Sequence, residues 1–318
     1  MTVFDAIRRA CAEVTERARS VRIMDRGLRD LALELAGPAA APARFDPAHR
    51  PLATPDATLA YVISLDAVNF GSGWFPHLVK RPGCSGYFTI ATALSEHFEA
   101  HGPLSATALG EMTPERCATL FGQPMTPPVD ELMQHFARSW RDLGRFLIDR
   151  HAGDFARLLE AAEGRAAKLV GLLAEMPLYR DVCRYGDLEV PLYKRAQITC
   201  ADLAGAFDAR GPGAFVDLAE LTIFADNLVP HVLRMEGALD YAPTLLARIG
   251  AGELIPAGSA EEIEIRAVAL HAVERMVELL RRDGVHTSAQ RLDHLLWNRG
   301  QSPRIKAEPR HRTRSVYY

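Results

Sequence analysis

Charged side chains interrupt the apolar helical periodicity of the segment from Tyr193 to Tyr241, which carries Lys194, Arg195 and Asp226. A charge on the buried side of a helix costs several kcal/mol unless another group pairs with it. These three side chains are therefore either matched inside the protein or present for a substrate.

Asp226 lies four residues before Pro230, where the sequence predicts a helix break. A side chain at such a break can project into a cavity, and a carboxylate there can take part in acid–base or electrostatic chemistry. The alternative is that Asp226 is the N-cap of a short helix starting at Pro230, a position that aspartate prefers. The two roles do not exclude each other. His231 could line the same cavity, although a lone histidine is more often structural.

Lys194 and Arg195 are neighbours on a predicted helix over about 192–208, so their side chains are about 100° apart around its axis. Only one of them can face a given cavity fully. Arg195, Ile198 and Asp202 share a stripe of this helix. One interpretation is a buried ion-pair network that includes Arg195 and Asp202. The other is that one of the two cations meets an anionic group of a substrate.

A second cluster surrounds a glycine-rich loop predicted over 71–86. Polar residues precede the loop and aromatic residues lie within or just after it; they are Asp66, Asn69, Phe70, Trp74, Phe75, His77 and Tyr87. Such residues can stack on and hydrogen-bond a planar heterocycle. We therefore predict that the loop closes over a ligand with Trp74, Phe75 or Tyr87. The alternative is a loop held in place by its own apolar side chains.

Helical periodicity dominates the elements that must position these residues. Thr54-Pro55-Asp56 predicts a capped helix through Val68. The apolar face of a later helix is formed by Val129, Leu132, Met133, Phe136, Trp140, Leu143 and Leu147. Further helices are predicted over 3–36, 87–100, 155–175, 259–283 and 288–298.

Other signals are weaker. A short hairpin is predicted around 182–190, a Pro/Ala-rich loop over 37–54, and a capping box at Asp217-x-x-Glu220 that would open the next helix. Together these patterns predict an all-α fold with at most a small β-hairpin, organised as a single helical domain over residues 1–318.

Composition narrows the function classes. The chain has 318 residues and a net charge of −3, which argues against binding to a long nucleic acid through counterion release. Its five cysteines show no metal-binding or disulfide spacing, so we expect reduced thiols in a cytoplasmic protein without a metal or other cofactor. No apolar run is long enough for a membrane span. The oligomeric state stays open.

Several segments together resemble one family. They are LDAVNF (65–70), Gly86-Tyr87-Phe88, YRDV (179–182), YKRAQI with AD (193–198 and 201–202), LTIFADNLVPHVL (221–233), GALDY (237–241), EIEIRA (262–267) and Tyr317-Tyr318. These segments resemble the queuosine salvage proteins, the queuosine 5′-phosphate N-glycosylase/hydrolases. The YKRAQI…AD and IFAD…VP pair is the specific part. The chain departs from the family at His231, where eukaryotic members have glutamine, and in the loop after Phe70.

The resemblance implies hydrolysis of queuosine 5′-monophosphate to queuine and ribose 5-phosphate, on a helical fold akin to base-excision DNA glycosylases. It implies that Asp226 stabilises an oxocarbenium ion or activates water, and that Lys194 contacts the reaction centre or the phosphate. Asp66, with Trp74 or Tyr87, would meet the ammonium group of the substrate. Two alternatives are a helical protein that binds modified nucleotides without cleaving them, and a glycosylase acting on a base in a nucleic-acid polymer.

Overall fold

The computed structural model of the chain describes residues 2–37 and 54–318. The helices of this part are α1 (Val3–Arg17), α2 (Asp25–Ala36), α3 (Pro55–Ala67), α4 (Gly86–His101), α5 (Ala106–Gly110), α6 (Pro114–Phe121), α7 (Val129–His151), α8 (Phe155–Ala162), α9 (Ala166–Leu173), α10 (Lys194–Ala206), α11 (Val229–Met235), α12 (Pro243–Gly250), α13 (Ala260–Arg282), α14 (Ala289–Arg299) and α15 (Pro303–Ala307). The strands are β1 (Val21–Ile23), β2 (Val182–Tyr185), β3 (Leu188–Pro191) and β4 (Leu239–Tyr241).

The prediction of a mostly helical fold is confirmed. The predicted hairpin is present as the antiparallel pair β2–β3, in which Val182 lies opposite Pro191. A second antiparallel pair, β1–β4, was not predicted; it divides the helix expected over 3–36 into α1 and α2. None of the helices in the described ranges combines the length and hydrophobicity needed to cross a membrane.

The contacts within the chain group it into two compact units. Within the described residues, the first unit consists of residues 2–37, Asp181–Lys194 and Ala219–Arg314. The second consists of residues 54–180, Arg195–Leu218 and Ser315–Tyr318. The boundary inside α10 falls between Lys194 and Arg195. The single domain over 1–318 stays a prediction.

The first unit is built around α13, which packs against α1, α2 and α14. Buried Glu264 on this helix accepts hydrogen bonds through Oε2 from the backbone N–H groups of Arg19, Ser20 and Val21. These bonds hold the turn that leads into β1, where Val21 pairs with Tyr241. The carboxylate of Glu264 thus holds the connection between α1 and β1 in place.

The second unit is built around α7. The seven apolar residues predicted for one face of this helix are all buried, which confirms that face. Short helix α5 lies directly against it: a Cβ atom added at Gly144 would come within 2.3 Å of the backbone nitrogen of Gly110. Helix α3 is buried on all sides over residues 58–67, which is typical of a central helix.

Two predictions about the connections are wrong. The helix expected over 155–175 is divided into α8 and α9. Asp217 does not open a helix in its own segment, because its carboxylate instead accepts hydrogen bonds from the backbone N–H groups of Ala166 and Ala167, at the start of α9. A 3-10 turn, Leu218–Glu220, follows Asp217. The loop predicted over 37–54 lies almost entirely outside the described residues.

Candidate active site

Asp226 lies in the first unit, at the end of an irregular segment that leads into α11. Its Oδ1 atom accepts hydrogen bonds from the backbone N–H groups of Leu228 (2.7 Å) and Val229 (3.1 Å). The side chain is half-buried, and no hydrogen bond to its Oδ2 atom is present among the described residues. The N-cap residue of α11 is Leu228, which forms no side-chain capping bond, so Asp226 is not the N-cap that the sequence suggested. Asp226 instead holds the N–H groups at the start of α11 from two residues before the N-cap with one oxygen, and it keeps the other available for a ligand.

Lys194 is the first residue of α10, and its side chain is buried. Its backbone N–H donates to Oδ2 of Asp181 at 3.1 Å. The preceding residue, Tyr193, has a φ of 48°, in the left-handed region that a bulky side chain rarely adopts. Such backbone strain persists only where surrounding structure holds it, and it is concentrated at functional sites.

Asp293, a buried residue of α14, links the two predicted catalytic residues electrostatically. Its Oδ1 atom accepts a hydrogen bond from the backbone N–H of Phe224 at 2.9 Å. Burial raises the pKa of this carboxyl to about 7, and the negative charge of Asp226 acts in the same direction. The hydrogen bond from Phe224 and the positive charge of Lys194 oppose both effects. Asp226, Lys194 and Asp293 thus form one coupled group of charges.

His231 is buried on α11, and both of its ring nitrogens are already bonded. Nε2 lies 3.0 Å from the carbonyl oxygen of Ile305, and Nδ1 lies 3.2 Å from Nη2 of Arg234. The tautomer with hydrogen on Nε2 satisfies both contacts. Burial lowers the pKa of this imidazole, which favours its neutral form. This geometry favours the structural interpretation of His231 over substrate binding.

In the second unit, Arg195 is fully buried between two aromatic rings. Its guanidinium lies 4.7 Å from the centre of the Phe70 ring and 4.5 Å from that of Tyr179. Nη1 donates to the carbonyl oxygen of Ala67 at 2.5 Å, and Nη2 donates to that of Leu178. The cation thus lies at the carboxyl end of α3, where the helix dipole favours positive charge. These contacts favour a structural role for Arg195. Asp202 is half-buried on the same helix.

The polar residues at the end of α3 are largely enclosed. Asp66 is 0% exposed, and its Oδ1 atom lies 3.5 Å from Nδ2 of half-buried Asn69. Phe70 is buried and packs edge-to-face on Phe136 with ring centres 5.1 Å apart. Within the second unit, these residues form the packed end of a helix and no open surface, so their predicted contacts with a substrate stay predictions.

The loop after Phe70 is fixed at several points. Trp74 is buried, and its Nε1–H donates to Oε2 of Glu131 at 2.8 Å. The backbone of Val79 exchanges two hydrogen bonds with the amide of Gln123. Tyr87 begins α4 and is half-buried. This geometry favours the loop held by its own side chains over a mobile lid, and it leaves Tyr87 better placed than Trp74 for contact with a ligand.

Comparison with known proteins places the chain in a family. The family model described as queuosine salvage protein matches residues 49–318. The chain belongs to the queuosine salvage protein family.

Similar queuosine salvage proteins come from bacteria and eukaryotes, and each is named queuosine 5′-phosphate N-glycosylase/hydrolase. The protein of Sphaerobacter thermophilus is 41% identical over 269 residues, covering 83% of this chain and 82% of that protein. The Mus musculus protein is 31% identical over 328 residues, with 96% of both chains covered. The Dictyostelium discoideum protein is 33% identical over 265 residues, covering 83% of this chain and 79% of that protein. The family likeness therefore includes both units.

Asp293 was not predicted from the sequence, although a signal for it is present. Buried Leu292, Leu295 and Leu296 surround it on α14, so it is a charged residue on an apolar helical face. The same reasoning singled out Arg195. Within residues 2–37 and 54–318, no three His, Cys, Asp or Glu side chains lie together as a metal site would require.

Proposed function

We propose that this protein hydrolyses the N-glycosidic bond of queuosine 5′-monophosphate and releases queuine and ribose 5-phosphate. The substrate is inferred from the names of the relatives, whose similarity extends over most of this chain. The observation that carries the mechanism is the arrangement of Asp226, whose Oδ1 is fixed by two backbone N–H groups while Oδ2 is left for the reaction.

In this mechanism the C1′–N bond breaks first, and positive charge develops at C1′ of the ribose. The carboxylate of Asp226 stabilises that charge, and it orients or deprotonates the water that supplies a hydroxyl group to C1′. The two N–H groups on Oδ1 hold the carboxylate in place before the reaction, so little reorganisation is needed.

The departing base takes the bonding electron pair and gains a proton. A 7-deazaguanine base lacks N7, the usual site of protonation in purines. Hydrogen bonds to its other atoms must therefore contribute more to stabilising the departing base. Asp293 is suited to this task, because a carboxyl with a pKa of about 7 keeps a proton to donate in part of the population at neutral pH. Lys194 supplies a positive charge that acts on Asp293.

The test is incubation with queuosine 5′-monophosphate followed by HPLC with mass detection. We expect queuine and ribose 5-phosphate in equal amounts, formed at a rate that is insensitive to salt. Intact substrate that co-elutes with the protein would instead indicate a binding protein. Base release from tRNA but not from the mononucleotide would indicate a glycosylase acting on a polymer, and its rate would fall with salt. A parallel reaction with the unphosphorylated nucleoside measures what the phosphate contributes.

A further inference from the structure

Arg266 on α13 forms a buried ion pair with Asp181 in the first unit. Nη1 lies 3.0 Å from Oδ1 of Asp181 and Nη2 lies 2.6 Å from Oδ2, so the two side chains meet through two parallel hydrogen bonds. Glu262, one turn earlier on α13, adds a second carboxylate 3.5 Å from Nη1. All three side chains are almost completely shielded from solvent.

Further hydrogen bonds of this pair go to the two segments that carry the proposed catalytic residues. Nε of Arg266 donates to the carbonyl oxygen of Ala225 at 2.9 Å, directly before Asp226. Oδ2 of Asp181 accepts from the backbone N–H of Lys194.

Asp181 also holds the turn that leads into α10 through its own backbone. Its carbonyl oxygen accepts from the N–H groups of Leu192 (2.9 Å) and Tyr193 (3.2 Å). These bonds restrain the left-handed backbone of Tyr193, which sets the direction in which Lys194 leaves the turn.

Stability alone is a weak explanation for this arrangement. Removing two charges from water costs several kcal/mol, and replacing a buried ion pair with packed apolar side chains is often neutral or stabilising. An apolar replacement would, however, leave the carbonyl oxygen of Ala225 and the N–H of Lys194 without these partners.

We propose that Arg266 is a positioning residue that holds the segment of Asp226, and that Asp181 extends the same restraint to Lys194. Neither residue needs to touch the substrate for this role. The inference rests on the proposed function for its kinetic consequences, but its structural consequence can be measured without any substrate.

The test compares Arg266→Lys with Glu264→Gln. Lysine keeps the positive charge beside Asp181 but lacks the planar fork, so it cannot bond both carboxylate oxygens and the Ala225 carbonyl at once. Glu264 is a matched control, because it is equally buried on the same helix and also bonds backbone N–H groups, but those of residues 19–21. Both variants should lower the melting temperature.

Of the two variants, only Arg266→Lys is expected to lower kcat, by about 10- to 100-fold, because a small misplacement of a reacting group has effects of this size. KM should change by less than about threefold. Glu264→Gln should keep kcat within about twofold of wild type. In an Asp226→Asn background, the effect of Arg266→Lys on kcat should fall to less than half its size on a logarithmic scale.

Amide hydrogen exchange supplies a readout that does not need activity. Exchange at Leu228 and Val229 should be faster in Arg266→Lys than in wild type, and unchanged in Glu264→Gln. Equal exchange in the two variants overturns the positioning role whether or not the protein hydrolyses the mononucleotide. If the protein does hydrolyse it, wild-type kcat in Arg266→Lys overturns the positioning role as well. A wild-type protein that leaves the substrate intact, with the expected exchange difference, overturns the proposed function and keeps the positioning role.

Discussion

The backbone N–H of Phe224 donates to the carboxyl group of Asp293 at 2.9 Å, two residues before Asp226. A buried carboxyl of α14 thus holds the segment that presents the proposed catalytic carboxylate. The hydrogen bond stabilises the charged form of Asp293, yet burial outweighs it and leaves the pKa at about 7.

This raised pKa predicts a dependence of stability on pH. The folded protein binds the Asp293 proton up to about pH 7, whereas the unfolded chain releases it near pH 4, so the stabilising contribution is present at low pH and is lost as the pH rises towards 7. Above pH 7 the wild-type protein must bury the charged carboxylate of Asp293, which lowers its stability. Asp293→Asn removes this charge and keeps an oxygen that accepts the hydrogen bond from Phe224. We expect the melting temperature of Asp293→Asn, relative to wild type, to be about 2 °C or more higher at pH 8 than at pH 4.5. A difference that does not vary with pH would contradict the raised pKa.

Asp226→Asn is expected to lower kcat by about 10²–10⁴-fold, the range for removing a positioned charge or acid–base group. The melting temperature should stay near wild type, because the amide oxygen of asparagine can accept the same two N–H bonds. Asp154→Asn is the matched control, since Asp154 caps α8 through its carboxylate but has no proposed catalytic role. Near-normal kcat in a folded Asp226→Asn protein would leave Asp226 with a structural role alone, at the start of α11.

Trp74→Phe separates the two interpretations of the glycine-rich loop. The substitution keeps an aromatic ring but removes the hydrogen bond to Glu131, which is worth about 1.5–3 kcal/mol for a charged acceptor. We expect a lower melting temperature with KM within about twofold of wild type. Stacking on the substrate base would give a different pattern, namely a tenfold or larger rise in KM for Trp74→Ala or Tyr87→Ala.

Arg195→Lys is expected to destabilise the protein and to leave the affinity of the folded fraction for substrate unchanged. Lysine cannot donate to the carbonyl oxygens of both Ala67 and Leu178 while lying between two aromatic rings. Thermal unfolding and KM measurements check this, with exposed Arg145→Lys on α7 as the control. A selective rise in KM at an unchanged melting temperature would return Arg195 to the substrate site.

Treatment with EDTA is expected to leave kcat and KM unchanged, because the proposed mechanism uses carboxylates and an ammonium group only. The assay is repeated after dialysis against the chelator. Loss of activity that a divalent cation restores would show that the reaction requires a metal, which the proposed mechanism omits.

The features that sequence predicted well depend on neighbouring residues. The apolar face of α7, the Thr54 cap of α3 and the β2–β3 hairpin are all encoded within a few turns or a few residues of chain. The β1–β4 pair could not be found in this way, because its strands are three residues long and far apart in sequence.

Sequence patterns pointed to only some features of the candidate site, because many of its contacts join residues that are far apart in the chain. The position of Asp226 before Pro230 suggested an N-cap or a reactive carboxylate. The N-cap is Leu228, although Asp226 does bind the N–H groups of Leu228 and Val229, and the reactive carboxylate stays a prediction. The surroundings of Arg195 were not predictable, because its carbonyl acceptors belong to other helices and loops. Asp217 was misassigned because its N–H donors lie about fifty residues earlier in the chain.

The three N–H groups that Glu264 gathers at residues 19–21 have a consequence for biosynthesis. Helix α1 emerges from the ribosome long before Glu264, which holds residues 19–21, has been synthesised. Until then, α1 and β1 lack their contacts with α13, and the apolar face of α1 is open to chaperones and to other nascent chains. We therefore expect nascent chains that end before residue 264 to be protease-sensitive over residues 2–37, and longer chains to become resistant there once α13 has emerged.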